Sequence, residues 1–412
     1  MSGKYQIFYP GQYLEWEKKF IEERFELVAK GVPKERRGPE LVHEYELLKF
    51  NHNWDPYNPL FNNREYAQKA GYKDVPAWPC FKVPMGGAMM LAIPQDIADI
   101  WFFGHGPDDV ELIAPIYPGD LLYTEIDKLY FEDITVPGSD LRHFRFGSTA
   151  SMYNQHGELV VRATGWLRNA YRKIIDGSPA PSLVEQMADT MKDYPPAHFT
   201  TDEEWEYIKE LWRKEHIRGG EKLYWEDVKI GDEPAWTCSG PVSYFDMVGW
   251  YGGTHMDLRD AIMKGGRGLF KDRYGQYLFG TAAMVGGRNI PGSRAVFYND
   301  TGAKLVTRMV TNYIGDAGFV TRVGWMFQQS YKEMRYPREG GEYLDKVPYM
   351  KGKACTVHGS EGDCVIAKGY VTDKYVNDRG EHIVDLVCWG ETLDRRIIEV
   401  VPVSVRLPSK TG

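Results

Sequence analysis

Long apolar runs are missing from this chain, and so is any excess of basic charge. No stretch approaches the ~20 apolar residues that a membrane span needs. Residues 1–19 hold no apolar run of signal-peptide length. The expectation is a cytoplasmic protein with no membrane partner. Net charge is −8 and the isoelectric point about 5.8. Phosphate backbones attract basic surfaces, so nucleic acid is not expected as a partner. Cysteine is scarce: Cys80, Cys238, Cys355, Cys364 and Cys388 are odd in number and scattered, which argues for reduced thiols over a disulfide framework. Neither a Cys-x-x-Cys pair nor a His pair at zinc-like spacing occurs, so no structural metal is expected. The glycine-rich strings do not match a dinucleotide or P-loop pattern in strand–turn–helix context, which argues against NAD and ATP.

What is present reads as ordinary globular composition, 43% hydrophobic and 26% charged over 412 residues. That length suggests two or three domains, each able to bury a core. The 27 Tyr, 18 Phe and 12 Trp serve either large aromatic cores or an aromatic-lined pocket for a flat or bulky substrate. Residues 11–37 predict an amphipathic helix with Leu14, Phe20, Ile21, Phe25 and Val28 near one stripe, so residues 1–37 form a helical extension. Alternation predicts strands over 120–133, 142–153 and 158–168, the last two joined by a hairpin at Asn154-Gln155-His156-Gly157. Residues 174–222 open with a Gly-, Pro- and Ser-containing stretch and continue as polar helices, the second capped near Thr200, Thr201 or Asp202. We read 176–222 as a helical linker between domains at 38–175 and 223–412.

An internal repeat is the stronger signal. Asn154-Gln155-His156-Gly157-Glu158 is matched by Asn377-Asp378-Arg379-Gly380-Glu381, and a Trp (Trp166, Trp389) follows nine residues after each Gly. Tyr117-Pro118-Gly119-Asp120 places Gly119 38 residues before the first turn, and Gly341-Glu342 stands 39 before the second. A duplicated α+β domain follows, with the same strand order expected in both halves.

Asp55-Pro56-Tyr57-Asn58-Pro59-Leu60-Phe61 through Ala67, then Gly71-Tyr72 and Ala77-Trp78-Pro79, then Pro118-Gly119-Asp120, form one string. In the second half, Tyr224 to Asp232, Gly240-Pro241-Val242-Ser243, His255-Met256-Asp257 with Ala261, and Thr311 to Phe319 form another. Together these resemble the MaoC (hydratase 2) family of acyl-CoA hydratases and dehydratases. The resemblance implies a tandem (double) hotdog, antiparallel sheets each wrapped around a central helix. It also implies an enoyl-CoA or 3-hydroxyacyl-CoA substrate, with coenzyme A as part of the substrate and no other cofactor. A double hotdog is compatible with a monomer and with a homodimer. Both strings depart from the family pattern: the first has one extra residue and Phe61 where His is expected, and the second has Trp250 and Gly252 in place of Asp and Asn.

Hydration of an enoyl thioester needs a base for water, an acid for the α-carbon and dipoles for the enolate oxygen. His titrates near neutral pH without perturbation, which makes His255 the catalytic candidate, with Asp257 or Asp246 as its carboxylate and Tyr251 and Gly253 beside it. Asn58 and Phe61 shape the tunnel, and a Phe in place of His fits a bulky or aromatic acyl group. His52 and Asp55 form a second candidate pair. Arg288, Arg294, Arg308 and Arg322 are candidates for the coenzyme phosphates, Arg322 foremost. A hotdog thioesterase and a non-catalytic, partner-dependent subunit are the competing readings.

Overall fold

The computed structural model describes residues 3–32, 35–84, 87–243, 269–271, 277–279, 297 and 301–411, apart from 183, 184, 187, 190, 191, 197 and 199. Helix α1 (Glu15–Lys30) precedes strand β1 (Arg37–Leu41); α2 (Glu44–Trp54), α3 (Pro59–Asn62) and α4 (Arg64–Lys69) follow. Then come four long strands, β2 (Ile100–Leu112), β3 (Leu121–Asp133), β4 (Arg142–Tyr153) and β5 (Leu159–Arg172). Helix α5 (Asp202–Lys214) starts at Thr201, whose hydroxyl accepts the Glu204 N–H while the Glu204 carboxylate accepts the Thr201 N–H. The second half holds β6 (Thr237–Ser239), the small hairpin β7 (Leu269–Lys271) and β8 (Tyr277–Phe279), α6 (Thr301–Ile314), β9 (Phe319–Trp325), α7 (Gly341–Leu344), β10 (Val365–Val376), β11 (His382–Glu391) and β12 (Ile397–Arg406).

Ten strands form one antiparallel sheet in the order β1-β3-β4-β5-β2-β9-β12-β11-β10-β6. Read outward from the middle, the two halves have the same order, so β1, β2, β3, β4 and β5 correspond to β6, β9, β10, β11 and β12. The duplication expected from the sequence is therefore present in the topology. Its register is not the one the sequence repeat suggested. Asn154 and Asn377 do build identical turns: each side chain accepts the backbone N–H groups two and four residues on and donates to the following Glu at 2.7 Å. Yet the first turn joins β4 to β5 and the second joins β10 to β11, one strand out of step. Turn chemistry of this kind recurs wherever a hairpin needs it. The true counterpart of Gly119-Asp120 is Gly362-Asp363, not Gly341-Glu342. Each Asp accepts the N–H three residues before it, from Tyr117 at 2.8 Å and Ser360 at 2.9 Å. Each Gly-Asp pair also exchanges backbone hydrogen bonds with a valine, Val42 or Val242.

The halves meet edge to edge. β2 and β9 pair from Asp108↔Trp325 to Glu111↔Arg322, and Arg322 grips Asp109 with two hydrogen bonds of 2.7 and 2.9 Å. The core crosses this seam: Val110 and Val161 of the first half pack in one cluster with Met309, Val310, Val323 and Val403 of the second. Helix α6 lies on β9, β10, β11 and β12 and is buried nearly all round. In the corresponding place of the first half, on β3, β4 and β5, the described residues hold a 3₁₀ turn at Ala88–Leu91, with α1 packed beside it: Phe20 and Ile21 share a cluster with Ala88, Leu91, Phe144 and Phe146. A central helix in each half was expected; Pro84 and Pro94 bracket too short a segment for one. A Cβ at Gly87 would also lie 2.8 Å from Ile126 and Ser148.

Helix α1 docks on the first half through a buried charge. Glu17 is fully buried, accepts the Leu14 N–H at 3.1 Å and the Tyr171 hydroxyl at 2.7 Å, and pairs with fully buried Arg142. Arg142 also donates to the carbonyls of Tyr9 and Gln12 and lies 3.5 Å from the carboxylate of Asp133. Removing Glu17 takes away the nearer of the two carboxylates that offset the buried Arg142 charge. Glu17→Ala is expected to lower unfolding stability by about 3–5 kcal/mol, and Lys18→Ala, at an exposed position, by less than about 0.5 kcal/mol. Denaturant unfolding of both variants checks this, and equal losses would contradict it.

Candidate active site

The first-half string builds a rigid turn in front of α6. Helix α2 ends at Asp55. Pro56 cannot supply a backbone N–H to continue it. Asn58 then caps α3, accepting the Leu60 N–H at 3.1 Å with Pro59 in the first turn. Asn62 ties the turn together by donating to the carbonyls of Asp55 (2.7 Å) and Asn58 (2.9 Å). Asn51, fully buried, donates to Phe61 and Pro76 carbonyls and accepts the Trp78 N–H. All three hydrogen bonds lie within 3.0 Å, so the backbone on both sides of the turn is fixed.

This turn aims the Asp55 carboxylate at α6. Its Oδ2 accepts from the Thr311 hydroxyl at 3.0 Å and from Asn58 Nδ2 at 3.2 Å. Asp55 is 1% exposed, and burial raises its pKa to about 6 against the opposing pull of Arg308 and of the two hydrogen bonds. One turn back on α6, Arg308 Nη2 binds Glu215 (2.9 Å) and the Cys238 carbonyl (3.3 Å). Asn312 donates to the same Glu215 at 3.0 Å. Burial raises Glu215 as well, opposed by Arg308. The Nε of Arg308 and Oδ1 of Asn312 are buried without partners among the described residues. A buried donor and acceptor on adjacent turns are the setting in which an ordered water is held.

A cavity of about 60 Å³, partly open to solvent, lies between the halves and is bordered by Thr311. Its first-half wall is Leu60, Phe61, Tyr72, residues 76–82, Leu112, residues 114–116 and Val161; its second-half wall runs from Thr311 and Ile314 to Val320. Gly315, which ends α6 with φ 66°, sits there because a Cβ would lie 2.8 Å from the Gly219 carbonyl. The lining is mostly aromatic and apolar, with Tyr72, Lys82 and Thr311 among its polar residues. Trp78, on the same wall and 1% exposed, has an indole N–H without a partner among the described residues.

Of the sequence candidates, Asn58 and Phe61 reach this site, one holding Asp55 and the other lining the cavity. His52 and Asp55 do not form a pair: one helical turn separates an exposed His52 from a buried Asp55. Arg308 faces Glu215 rather than solvent, and Arg322 is a strut of the β2–β9 seam. His255, Asp257, Asp246, Tyr251, Gly253, Arg288 and Arg294 lie outside the described residues. The start of α6 is held against an acid, since a Cβ at Gly302 would collide with the buried carboxylate of Glu399. Thr311, Glu215 and Arg308 escaped the sequence reading as a cluster. The one available signal was polar residues on an apolar helix, Lys304, Arg308, Thr311 and Asn312 at helical spacing.

No family model matches the sequence, and no curated protein matches it. Solved structures do. A MaoC-like dehydratase is 16% identical, with a TM-score of 0.47, covering 92% of this chain and 97% of that one. A conserved hypothetical protein from Mycobacterium tuberculosis with a double hotdog fold is 11% identical, TM-score 0.42, over 93% and 97%. A MaoC-like dehydratase from Phytophthora capsici is 10% identical, TM-score 0.40, over 94% and 99%. Two of these structures are thus MaoC-like dehydratases, and the third has a double hotdog fold.

Proposed function

We propose that this protein is an acyl-CoA hydratase or dehydratase of the MaoC-like kind, acting on an enoyl-CoA or 3-hydroxyacyl-CoA whose acyl group is bulky or aromatic. The observation that carries the reading is Asp55: a buried carboxylate whose pKa burial pushes up to about 6, hydrogen-bonded to Thr311 on the wall of an apolar cavity between the two halves. General acid–base chemistry needs a group whose pKa lies near the working pH. Enoyl chemistry also needs a dry wall for the acyl chain, and the aromatic lining around Phe61 and Trp78 supplies it. In hydration Asp55 is the base that takes a proton from water, and the Trp78 indole N–H is a donor available on the same wall. His255, with Asp257 or Asp246, is carried over from the family resemblance as a second acid–base group, with Tyr251 and Gly253 beside the substrate.

Incubation with crotonyl-, cinnamoyl- and longer enoyl-CoAs tests the reading. Loss of enone absorbance without release of free thiol is expected, with Asp55→Asn reducing turnover about a hundredfold or more. Thiol release would identify a thioesterase instead, and silence in both channels a non-catalytic subunit. The rate of hydration is expected to fall below about pH 6, as Asp55 becomes protonated.

A second expectation needs no substrate. The folded pKa of Asp55 lies above its ordinary value of 3.8, so the folded state binds this proton more readily than the unfolded chain. The contribution of Asp55 to stability is therefore best at low pH and is lost as pH rises from about 4 through about 6. Asp55→Asn removes the cost of burying the charge. The variant should be more stable than the wild type at pH 7–8 by on the order of 2 kcal/mol, with the advantage shrinking toward pH 4. Unfolding at several pH values checks the sign, and a variant less stable at every pH would contradict it.

A further inference from the structure

Asp55 is not among the described residues that line the cavity; Thr311 is, and its hydroxyl donates to Asp55 Oδ2 at 3.0 Å. We propose that Thr311 is a catalytic residue, relaying the proton between the Asp55 carboxyl group and the substrate. The inference rests on the hydratase reading above and adds to it the group that touches the reacting atoms.

The geometry of the hydroxyl is that of a two-way relay. Thr311 Oγ lies 3.0 Å from Asp55 Oδ2 and 2.9 Å from the Arg308 carbonyl, one turn back on α6. A hydroxyl has one proton to donate and lone pairs with which to accept. With Asp55 ionised, Thr311 donates to the carboxylate. With Asp55 protonated, the carboxylic acid donates to Thr311 Oγ, and the hydroxyl proton turns to the Arg308 carbonyl. Both protonation states of Asp55 are thus satisfied without moving a heavy atom, so the switch costs little reorganisation. Asn58 Nδ2 holds the same carboxylate oxygen at 3.2 Å in place throughout. A threonine used only to stabilise the helix would need the Arg308 carbonyl alone, as Thr307 uses the Ala303 carbonyl at 2.7 Å.

The step balances with one water and no further reactant. In hydration, a water in the cavity gives a proton to Thr311 Oγ as the Thr311 hydroxyl proton passes to Asp55. The water oxygen forms its bond to C3 of the enoyl group, and the C2=C3 electron pair moves onto the thioester as an enolate. The proton then returns from Asp55 through Thr311 to C2, the enolate collapses, and the 3-hydroxyacyl thioester leaves with both hydrogens of the water. Dehydration is the reverse.

Thr311→Val keeps the shape of the side chain and removes the relay; Thr311→Ser keeps the hydroxyl. With an enoyl-CoA that the wild type hydrates, Thr311→Val is expected to lose about a hundredfold in kcat with little change in KM, while Thr311→Ser stays within about tenfold of the wild type. Thermal unfolding of Thr311→Val within a few degrees of the wild type assigns the loss to chemistry. Should Thr311→Val hydrate at near wild-type rates while Asp55→Asn does not, the relay is wrong and the hydratase reading stands. Equal losses in the Ser and Val variants would also overturn the relay. If the wild type hydrates none of the panel, the hydratase reading falls and takes the relay with it.

Discussion

Pairing of β2 with β9 is the constraint on which the rest of the molecule depends. Four residue pairs, from Asp108↔Trp325 to Glu111↔Arg322, make two five-stranded units into one sheet. A free sheet edge exposes unpaired N–H and C=O groups, so each half covers the other's most vulnerable strand. Their junction also fixes where α6 stands relative to the first half. Without it, the motif turn at Asp55 and the Thr311 face of α6 would not share a register, and the buried carboxylate would have no partner from the second half.

Burial then does the chemical work. A carboxylate with two hydrogen bonds and an arginine nearby would ordinarily sit low. Here the loss of water outweighs all three, because Arg308 is largely committed to Glu215 and the Cys238 carbonyl. Among the described residues of the first half, the place of a long central helix is shared by the 3₁₀ turn at Ala88–Leu91 and the N-terminal α1. The second half keeps α6. The asymmetry matters, since the helix that survives carries Thr311 and Arg308 to the seam. Two copies of one topology have thus come to do different things: one supplies the turn with the carboxylate, the other the helix with the hydroxyl.

Much of this architecture was legible in the sequence. Strand alternation located β3, β4 and β5 closely, although β4 and β5 are buried along most of their length. The Thr201 cap was readable because capping depends on residues three apart in sequence. The duplication was visible but out of register, since Asn-x-x-Gly-Glu marks a kind of turn rather than a place in a fold. Asp55 was visible only as half of a pair with His52, and the chain leaves the helix at Asp55, burying it while His52 stays exposed. What pairs with Asp55 lies 256 residues away on α6, a distance that no local pattern spans. Glu215 was hidden for the same reason, reading as the polar end of a linker helix until the fold laid it against Arg308.

The protonation of Asp55 itself is the most direct test of this account. With ¹³C-labelled aspartate and the Asp55→Asn variant to assign the signal, its carboxyl resonance can be followed against pH in the resting protein and with a bound 3-hydroxyacyl-CoA. A midpoint near 6 that moves when the ligand binds is what the structure predicts. A carboxyl that titrates in the ordinary range near 4 and ignores the ligand would contradict it.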